Sequence, residues 1–254
     1  MKTRLLTHVF ALLVLTAVFA PQAAAHAHQQ PTASDPPPAS KPQQQTQGAR
    51  PVDLGAFLKE VLAFRLEQDR THLAIWIPYE FFVAAASADG TVDRAAMERD
   101  LDFLRDYIPF VIQNEYERPD GTKVYATEAE MRTRAVLKLA DGSEVAPLTA
   151  VPPKLMMMLA AMRAVVQADG GRTTQNMQFL VFPSATRAGR KIVDSSQKDS
   201  LTLFIKPAGK FGEASFTWRT PFDALTGQAD CPRCRSGVSS KWTYCPFCGQ
   251  KLPH

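Results

Sequence analysis

Two similar cysteine motifs close the chain, Cys231-Pro232-Arg233-Cys234 and Cys245-Pro246-Phe247-Cys248. They contain all four cysteines of the protein, and ten residues separate them. A C-x-x-C turn directs two thiolates at one point, and a connection of this length can form a hairpin that brings the two turns together. Four thiolates around one ion make a closed tetrahedral shell, for which zinc is the usual metal. The spacing therefore predicts a structural zinc site with these four cysteines as ligands.

The string Trp242-Thr243-Tyr244-Cys245-Pro246-Phe247-Cys248-Gly249 resembles the second knuckle of the zinc-ribbon family. The resemblance covers about residues 229–252, and we expect the module to span residues 227–254. The first knuckle differs from the family pattern at Arg235, where a glycine is common. The resemblance implies a small module whose metal holds the fold together and has no open coordination position.

Other states of the four cysteines stay open at the level of sequence. An oxidising compartment favours two disulfides, whereas a metal site needs thiolates, and iron is a second candidate ion. The segment Cys245-Pro246-Phe247-Cys248 is also similar to a glutaredoxin-type dithiol. Only six residues follow Cys248, however, which is too few for the helix whose amino terminus lowers the pKa of such a thiol.

Residues 1–25 have the order of features of a secretory signal peptide. Two cations precede an apolar run from Leu5 to Ala20, and the small residues Ala23-Ala24-Ala25 follow. The run is shorter than the roughly 20 apolar residues that a membrane span needs, and His8 interrupts it, so we expect cleavage. The sequence thus predicts an exported protein, periplasmic or extracellular. If the segment is retained, it would anchor the protein to the membrane with the rest of the chain outside.

Residues 26–50 are rich in Pro, Gln, Ser and Ala and are predicted to form a disordered tether. Cleavage after Ala25 would expose His26-Ala27-His28 at the new amino terminus. The terminal amine, two backbone nitrogens and the imidazole of His28 could then hold copper or nickel in a square plane. Cleavage after Ala27 would destroy this site. Whether His26 and His28 bind copper therefore depends on where the leader is cut.

Residues 51–226 are predicted to form an α+β domain with a largely antiparallel sheet and about three helices. Helical patterns occur at Leu54 to Leu62, after Thr91 as far as Ile108, and at Pro153 to Asp169, the last apolar around its whole circumference. Strand patterns occur at Leu73 to Val83, Phe110 to Tyr116, Arg132 to Leu139, Glu144 to Leu148, Met177 to Phe182, Lys191 to Asp194, Leu201 to Lys206, and Ala214 to Arg219. These elements come in mixed runs with hairpins, which favours the α+β class. No internal repeat is predicted, and Pro221 to Ala229 is predicted to be a hinge into the ribbon.

No residue of this domain is predicted to be catalytic. His72 is its single histidine and is predicted to be a polar cap at a strand start. Ser195 to Lys198 has the S-x-x-K spacing of serine–lysine acyl enzymes but lacks their partner motifs. Glu80 could be a general acid if it were buried among its aromatic neighbours, but alternation along a strand predicts that it is exposed.

Two classes of function remain from the sequence. The favoured one is a non-enzymatic binding or assembly module that contacts a partner protein, and the alternative is an exported hydrolase with an unidentified active site. A formal charge of +4, scattered along the chain, does not indicate nucleic-acid binding. Trp242, Tyr244 and Phe247 in the ribbon either form a contact surface with neighbouring cations or cover the metal.

Overall fold

The computed structural model describes residues 52–87, 93–170, 176–227, 229–239 and 241–253. The predicted signal peptide and tether, with His26 and His28, lie outside these residues. Within them the chain forms six α-helices and one 3-10 helix (Asp102–Asp106). The α-helices are α1 (Leu54–Val61), α2 (Tyr79–Ala86), α3 (Arg94–Asp100), α4 (Glu128–Arg134), α5 (Pro153–Gly170) and α6 (Asp223–Thr226). None of these helices is long and apolar enough to cross a membrane.

Eleven strands are seen in the described residues, and every pairing between them is antiparallel. They are β1 (Leu62–Leu66), β2 (Arg70–Trp76), β3 (Tyr107–Glu117), β4 (Lys123–Tyr125), β5 (Ala135–Lys138), β6 (Glu144–Val145), β7 (Gln178–Pro183), β8 (Asp199–Ile205), β9 (Ala214–Thr220), β10 (Ala229–Asp230) and β11 (Gly237–Val238). The first sheet has the order β1-β2-β3-β4, with β7 also paired to β3, and the second has the order β6-β5-β8-β9. The predicted α+β class with a largely antiparallel sheet is confirmed.

Aromatic side chains fill the space between the two main sheets. The ring of Trp218 in β9 lies 6.3 Å from that of Trp76 in β2 and 5.3 Å from that of Phe110 in β3. Its indole N–H donates to the carbonyl of Val61 at 2.8 Å, which ties the end of α1 to the second sheet. Buried rings of this size dominate the energetics of a core, and a buried indole needs such an acceptor.

The predicted strand from Leu73 to Val83 is wrong in its second half. β2 ends at Trp76, Pro78 caps α2 with an extended backbone, and the helix runs from Tyr79 to Ala86. Every residue of this helix except Glu80 is buried. A segment that is apolar on all sides has no period that distinguishes a strand from a helix, so the alternation was uninformative.

The ends of other helices and strands also differ from the predicted ones, and each difference has a local cause. The predicted strand from Arg132 begins as the end of α4, whose start is fixed by a capping box between Thr127 and Glu130. The second predicted helix is divided into α3 and the 3-10 helix, and Ile108, which was predicted to end it, belongs to β3. Lys191 makes only an isolated bridge to Ala185, so the predicted strand there is absent from the described structure.

Two further features of the main domain were not expected. The hairpin of β1 and β2, joined at Glu67 and Arg70, replaces the end of the first predicted helix. The long helix α5 is not buried all round, because Met156 and Met157 are 56% and 71% exposed.

Candidate metal centre

The ribbon consists of two equivalent halves related by a shift of fourteen residues. In the first half the N–H of Arg235 donates to the carbonyl of Cys231, and the N–H of Cys231 donates to the carbonyl of Ser236, both at 2.9 Å. In the second half Gly249 and Gln250 make the same two bonds with Cys245, at 2.9 and 2.8 Å. The two similar cysteine motifs of the sequence therefore adopt the same knuckle geometry.

The equivalence extends to the short ladders that flank each knuckle. Asp230 pairs with Gly237 in the first half, as Tyr244 pairs with Lys251 in the second. The next position on each strand, one residue further from the knuckle, holds a buried aliphatic residue. These residues are Val238 and Leu252, which are 2% and 6% exposed. These two side chains form a small core with Cys231 and Cys245, against which Cys248 packs, and this core is separate from that of the main domain.

The two halves bring the four sulfur atoms together. Cys231 Sγ lies 3.6 Å from Cys248 Sγ, and Cys234 Sγ lies 3.6 Å from Cys245 Sγ, so each close pair joins one knuckle to the other. All four sulfurs lie within 4.8 Å of one another. A tetrahedral zinc with Zn–S bonds of about 2.3 Å places its sulfurs about 3.8 Å apart. The arrangement therefore fits a four-thiolate metal site, and all four cysteines are free thiols and not disulfides.

Neighbouring groups of the protein lower the pKa of two of these thiols. The backbone N–H of Cys234 lowers the pKa of Cys231, and the side chain and backbone N–H of Ser236 lower the pKa of Cys234 to about 6. The N–H of Gln250 acts in the same direction on Cys248, but desolvation and the three neighbouring thiols raise its pKa to about 12. A dication bound between the sulfurs supplies the positive charge that four adjacent thiolates need.

No protein-family model matches the chain, and neither a curated protein nor a solved structure is significantly similar to it. The cysteine cluster, consistent with a zinc-ribbon-like module, therefore carries the functional interpretation by its geometry alone.

One ion pair and its hydrogen bonds attach the ribbon to the main domain. Lys241 Nζ contacts the carboxylate of Glu60 in α1, and the two side chains are only 20% and 18% exposed. The same carboxylate accepts hydrogen bonds from the N–H groups of Asp223 and Ala224 at the start of α6, at 3.0 and 2.7 Å. Phe222 is fully buried beneath this contact, and Lys241 lies 5.6 Å from its ring. The segment Pro221 to Ala229, which was predicted to be a hinge, is therefore held in place at its beginning.

His72 does not cap a strand, contrary to the prediction. It lies inside β2, fully buried, and pairs across the sheet with Asn114 of β3. Within the described structure neither ring nitrogen of His72 has a hydrogen-bond partner, and the same holds for both polar atoms of the Asn114 side chain. Burial lowers the pKa of His72, so the imidazole is neutral near neutral pH.

Glu80 and Ser195 are brought together by the fold, which the sequence did not predict. The Ser195 hydroxyl donates to Glu80 Oε1 at 2.6 Å. Glu80 also lines a groove of about 960 Å³ beside α1 and α2. Other carboxylates of this groove serve the fold, because Asp53 caps α1 and Glu98 pairs with Arg94 at 2.9 Å. The described groove thus offers acidic side chains that are engaged in structural contacts, and Ser195 is not among its lining residues.

The aromatic side chains of the ribbon point away from its core. Trp242, Tyr244 and Phe247 are 41%, 58% and 66% exposed. Val238 and Leu252 pack with Cys231 and Cys245 instead. Of the two roles that the sequence left open for these aromatics, exposure therefore favours a contact surface.

Proposed function

We propose that this protein is an exported, non-enzymatic binding module whose structural zinc ribbon presents an aromatic and cationic surface to a partner protein. The observation that carries the proposal is the exposure of Tyr244 and Phe247 on a ribbon whose own core is already complete. Soluble proteins rarely expose large apolar side chains side by side without a use for them.

The ribbon also carries exposed cations close in sequence to its aromatic side chains. Arg233, Arg235 and Lys251 are exposed, and Asp230 is the acidic residue between positions 229 and 253. Aromatic and arginine side chains are the residues that contribute most to binding at protein interfaces. The chemistry of the surface thus favours a partner with an acidic rim around an apolar pocket.

A structural metal suits such a surface because it removes flexibility before binding. Four metal–sulfur bonds would fix the two knuckles, and with them Tyr244 and Phe247, in one arrangement. Ordering a flexible side chain or loop on binding costs free energy, so a surface fixed in advance binds more tightly. The contact between Lys241 and Glu60 also fixes the ribbon against the main domain, which favours one joint surface.

Export is supported by the sequence features of residues 1–25. The Pro- and Gln-rich residues 26–50 would then hold the described domain away from the point at which the chain leaves the membrane. In this arrangement the zinc site must form, or survive, in an oxidising compartment. Four thiolates bound to one ion are protected from oxidation by coordination, and this is consistent with the closed shell that the sulfurs define.

Site-specific photocrosslinking in the native cells tests the proposal. A photoreactive residue at Tyr244 or Phe247 of the full chain should give a discrete adduct with one partner protein. The matched control is Ser143, an exposed position in the turn between β5 and β6. The same adducts should disappear when Cys245→Ser prevents metal binding. An adduct pattern that is the same from Ser143, or that is unchanged by Cys245→Ser, would contradict the proposed surface.

A further inference from the structure

The edge strand β1 carries three exposed apolar side chains on one face. Leu62, Phe64 and Leu66 are 40%, 57% and 70% exposed. Ala63 and Arg65 lie on the opposite face, where they pair with the buried Ala74 and His72 of β2, although the Arg65 side chain is itself 51% exposed. In the described part of the chain, no strand pairs with the outer side of β1.

The edge strand β9 of the second sheet is constructed differently. Its exposed positions are Ser215, Thr217 and Arg219, all polar. Polar or charged side chains at an edge are the usual protection against unwanted pairing. The exposed face of β9 is therefore suited to water, whereas the exposed face of β1 is apolar and suited to a contact.

The backbone of β1 is also free to pair. The N–H of Glu67 donates to the carbonyl of Arg70 at 2.9 Å, which fixes this pair as hydrogen-bonded. Bonding alternates along an antiparallel pair, so the N–H and C=O groups of Phe64 and Leu66 are directed away from β2. Phe64 and Leu66 thus offer backbone hydrogen-bonding groups and apolar side chains at the same residues, whereas the N–H of Leu62 already donates to the carbonyl of Leu58.

We infer that a second copy of this chain pairs with β1 in antiparallel orientation, around a two-fold axis at Phe64. This register places Phe64 opposite its own copy and Leu62 opposite Leu66 of the other chain, so every outward pair is apolar. A two-fold interface must be self-complementary, and the sequence of β1 meets this condition. Aromatic and aliphatic cross-strand pairs each stabilise a sheet by about 0.2–1 kcal/mol.

The neighbouring register is disfavoured by charge. A shift of the axis to Arg65 would place the two arginines directly opposite each other, where like charges are destabilising. In the register centred on Phe64, Arg65 faces Ala63 and keeps its ion pair with Glu67 at 3.1 Å. The charge pattern therefore selects the same register as the apolar pattern.

The size of the contact sets its strength. Five residues of β1 are far fewer than the roughly 20–30 residues per partner of a stable interface. We therefore expect a reversible dimer whose population depends on protein concentration. This surface is distinct from the ribbon surface, so the inference does not rest on the proposed function.

Sedimentation of the zinc-loaded full chain up to about 200 μM tests the inference. The wild type should show a monomer–dimer equilibrium, and Phe64→Lys should weaken association at least about tenfold. Thr217→Lys on β9 is the matched control and should leave association unchanged. Phe64 is exposed, so its variant should keep the thermal transition of the wild type. A wild type that stays monomeric throughout, or a Phe64→Lys protein that associates equally well, would overturn the inference.

Cysteine variants test the register. Opposite residues of a hydrogen-bonded pair have Cα atoms about 5.5 Å apart, within the range of a disulfide. Phe64→Cys should therefore form an intermolecular disulfide between equivalent residues, detected by peptide mapping. Leu66→Cys should not, because the register separates the two copies of that position by about 13 Å. Crosslinking of Leu66→Cys without crosslinking of Phe64→Cys would overturn the proposed pairing.

Discussion

Arg235 and Gly249 occupy equivalent positions in the two knuckles, and both have a left-handed backbone, with φ of 57° and 71°. Each donates its N–H to the carbonyl of the first cysteine of its knuckle. A glycine adopts this conformation without strain, whereas a residue with a Cβ atom pays about 1–2 kcal/mol. The first knuckle therefore holds a residue that is unfavourable for its own turn.

Arg235→Gly should stabilise the zinc-bound ribbon by about 1 kcal/mol, because it removes the strain of the left-handed residue. Zinc affinity should rise about fivefold, since metal binding and folding of the ribbon are coupled. Competition with a chromophoric chelator measures this change. Arg235→Ala is the control, because it removes the same charge but keeps the strained backbone, and it should give no gain. An equal gain from both variants would assign the effect to charge instead.

The metal content of the protein is the second prediction. We expect one zinc per chain, bound by the four cysteines, because their sulfurs define one closed tetrahedral shell. Elemental analysis of protein from its native compartment measures the zinc content, and thiol titration measures whether the four cysteines are reduced. Cys248→Ser should lower zinc affinity by at least about a hundredfold, whereas Ser236→Ala, which removes a neighbour of Cys234, should have a much smaller effect. Two disulfides with no metal would contradict the site.

The amino terminus supplies a third prediction. We expect cleavage after Ala25, because the alanines at positions 23 and 25 give the small-x-small pattern before the cut. If the mature chain begins at His26, it should bind one copper ion tightly, and His28→Ala should abolish this binding. Amino-terminal sequencing and copper titration test both statements. A mature chain that begins at His28, or one that retains Met1, would end the copper hypothesis.

The sequence predicted best those features that depend on a few adjacent residues. The cysteine spacing located the cluster, and alternation located the strands near Phe110 and Ala214. The helix at Tyr79 was missed because nearly all of its residues are apolar, so the sequence shows no helical period there. The two similar cysteine motifs indicated two knuckles, but the equivalence of the turns that follow them was hidden, because Arg235 stands in one half where Gly249 stands in the other. The contact of Lys241 with Glu60 joins residues 181 positions apart, which no local pattern encodes.

Metal removal should separate the ribbon from the main domain. The two cores are distinct clusters, so we propose that chelation unfolds the ribbon and leaves the main domain folded. Loss of the contact between Lys241 and Glu60 should destabilise the main domain by only about 1–2 kcal/mol, a shift of a few degrees in its Tm. Lys241→Met should produce a similar shift without chelation, and chelation should then add little. Differential scanning calorimetry measures the Tm of the wild type and of Lys241→Met, each with and without chelator. Collapse of the main transition on chelation would show that the ribbon is part of one cooperative unit.

Burial of His72 makes the stability of the main domain depend on pH. The folded protein keeps this imidazole neutral because desolvation lowers its pKa, and Arg65, Arg134 and Arg70 act in the same direction against the opposing effect of Glu67. As pH falls below the ordinary pKa of about 6.5, the unfolded chain binds a proton that the folded chain resists, so the free energy of unfolding decreases. His72→Phe removes this titration. The variant should therefore lose less stability than the wild type between pH 7.5 and pH 5, measured by denaturant unfolding at each pH. A variant whose stability falls as steeply as that of the wild type would show that other groups determine the acid sensitivity of the fold.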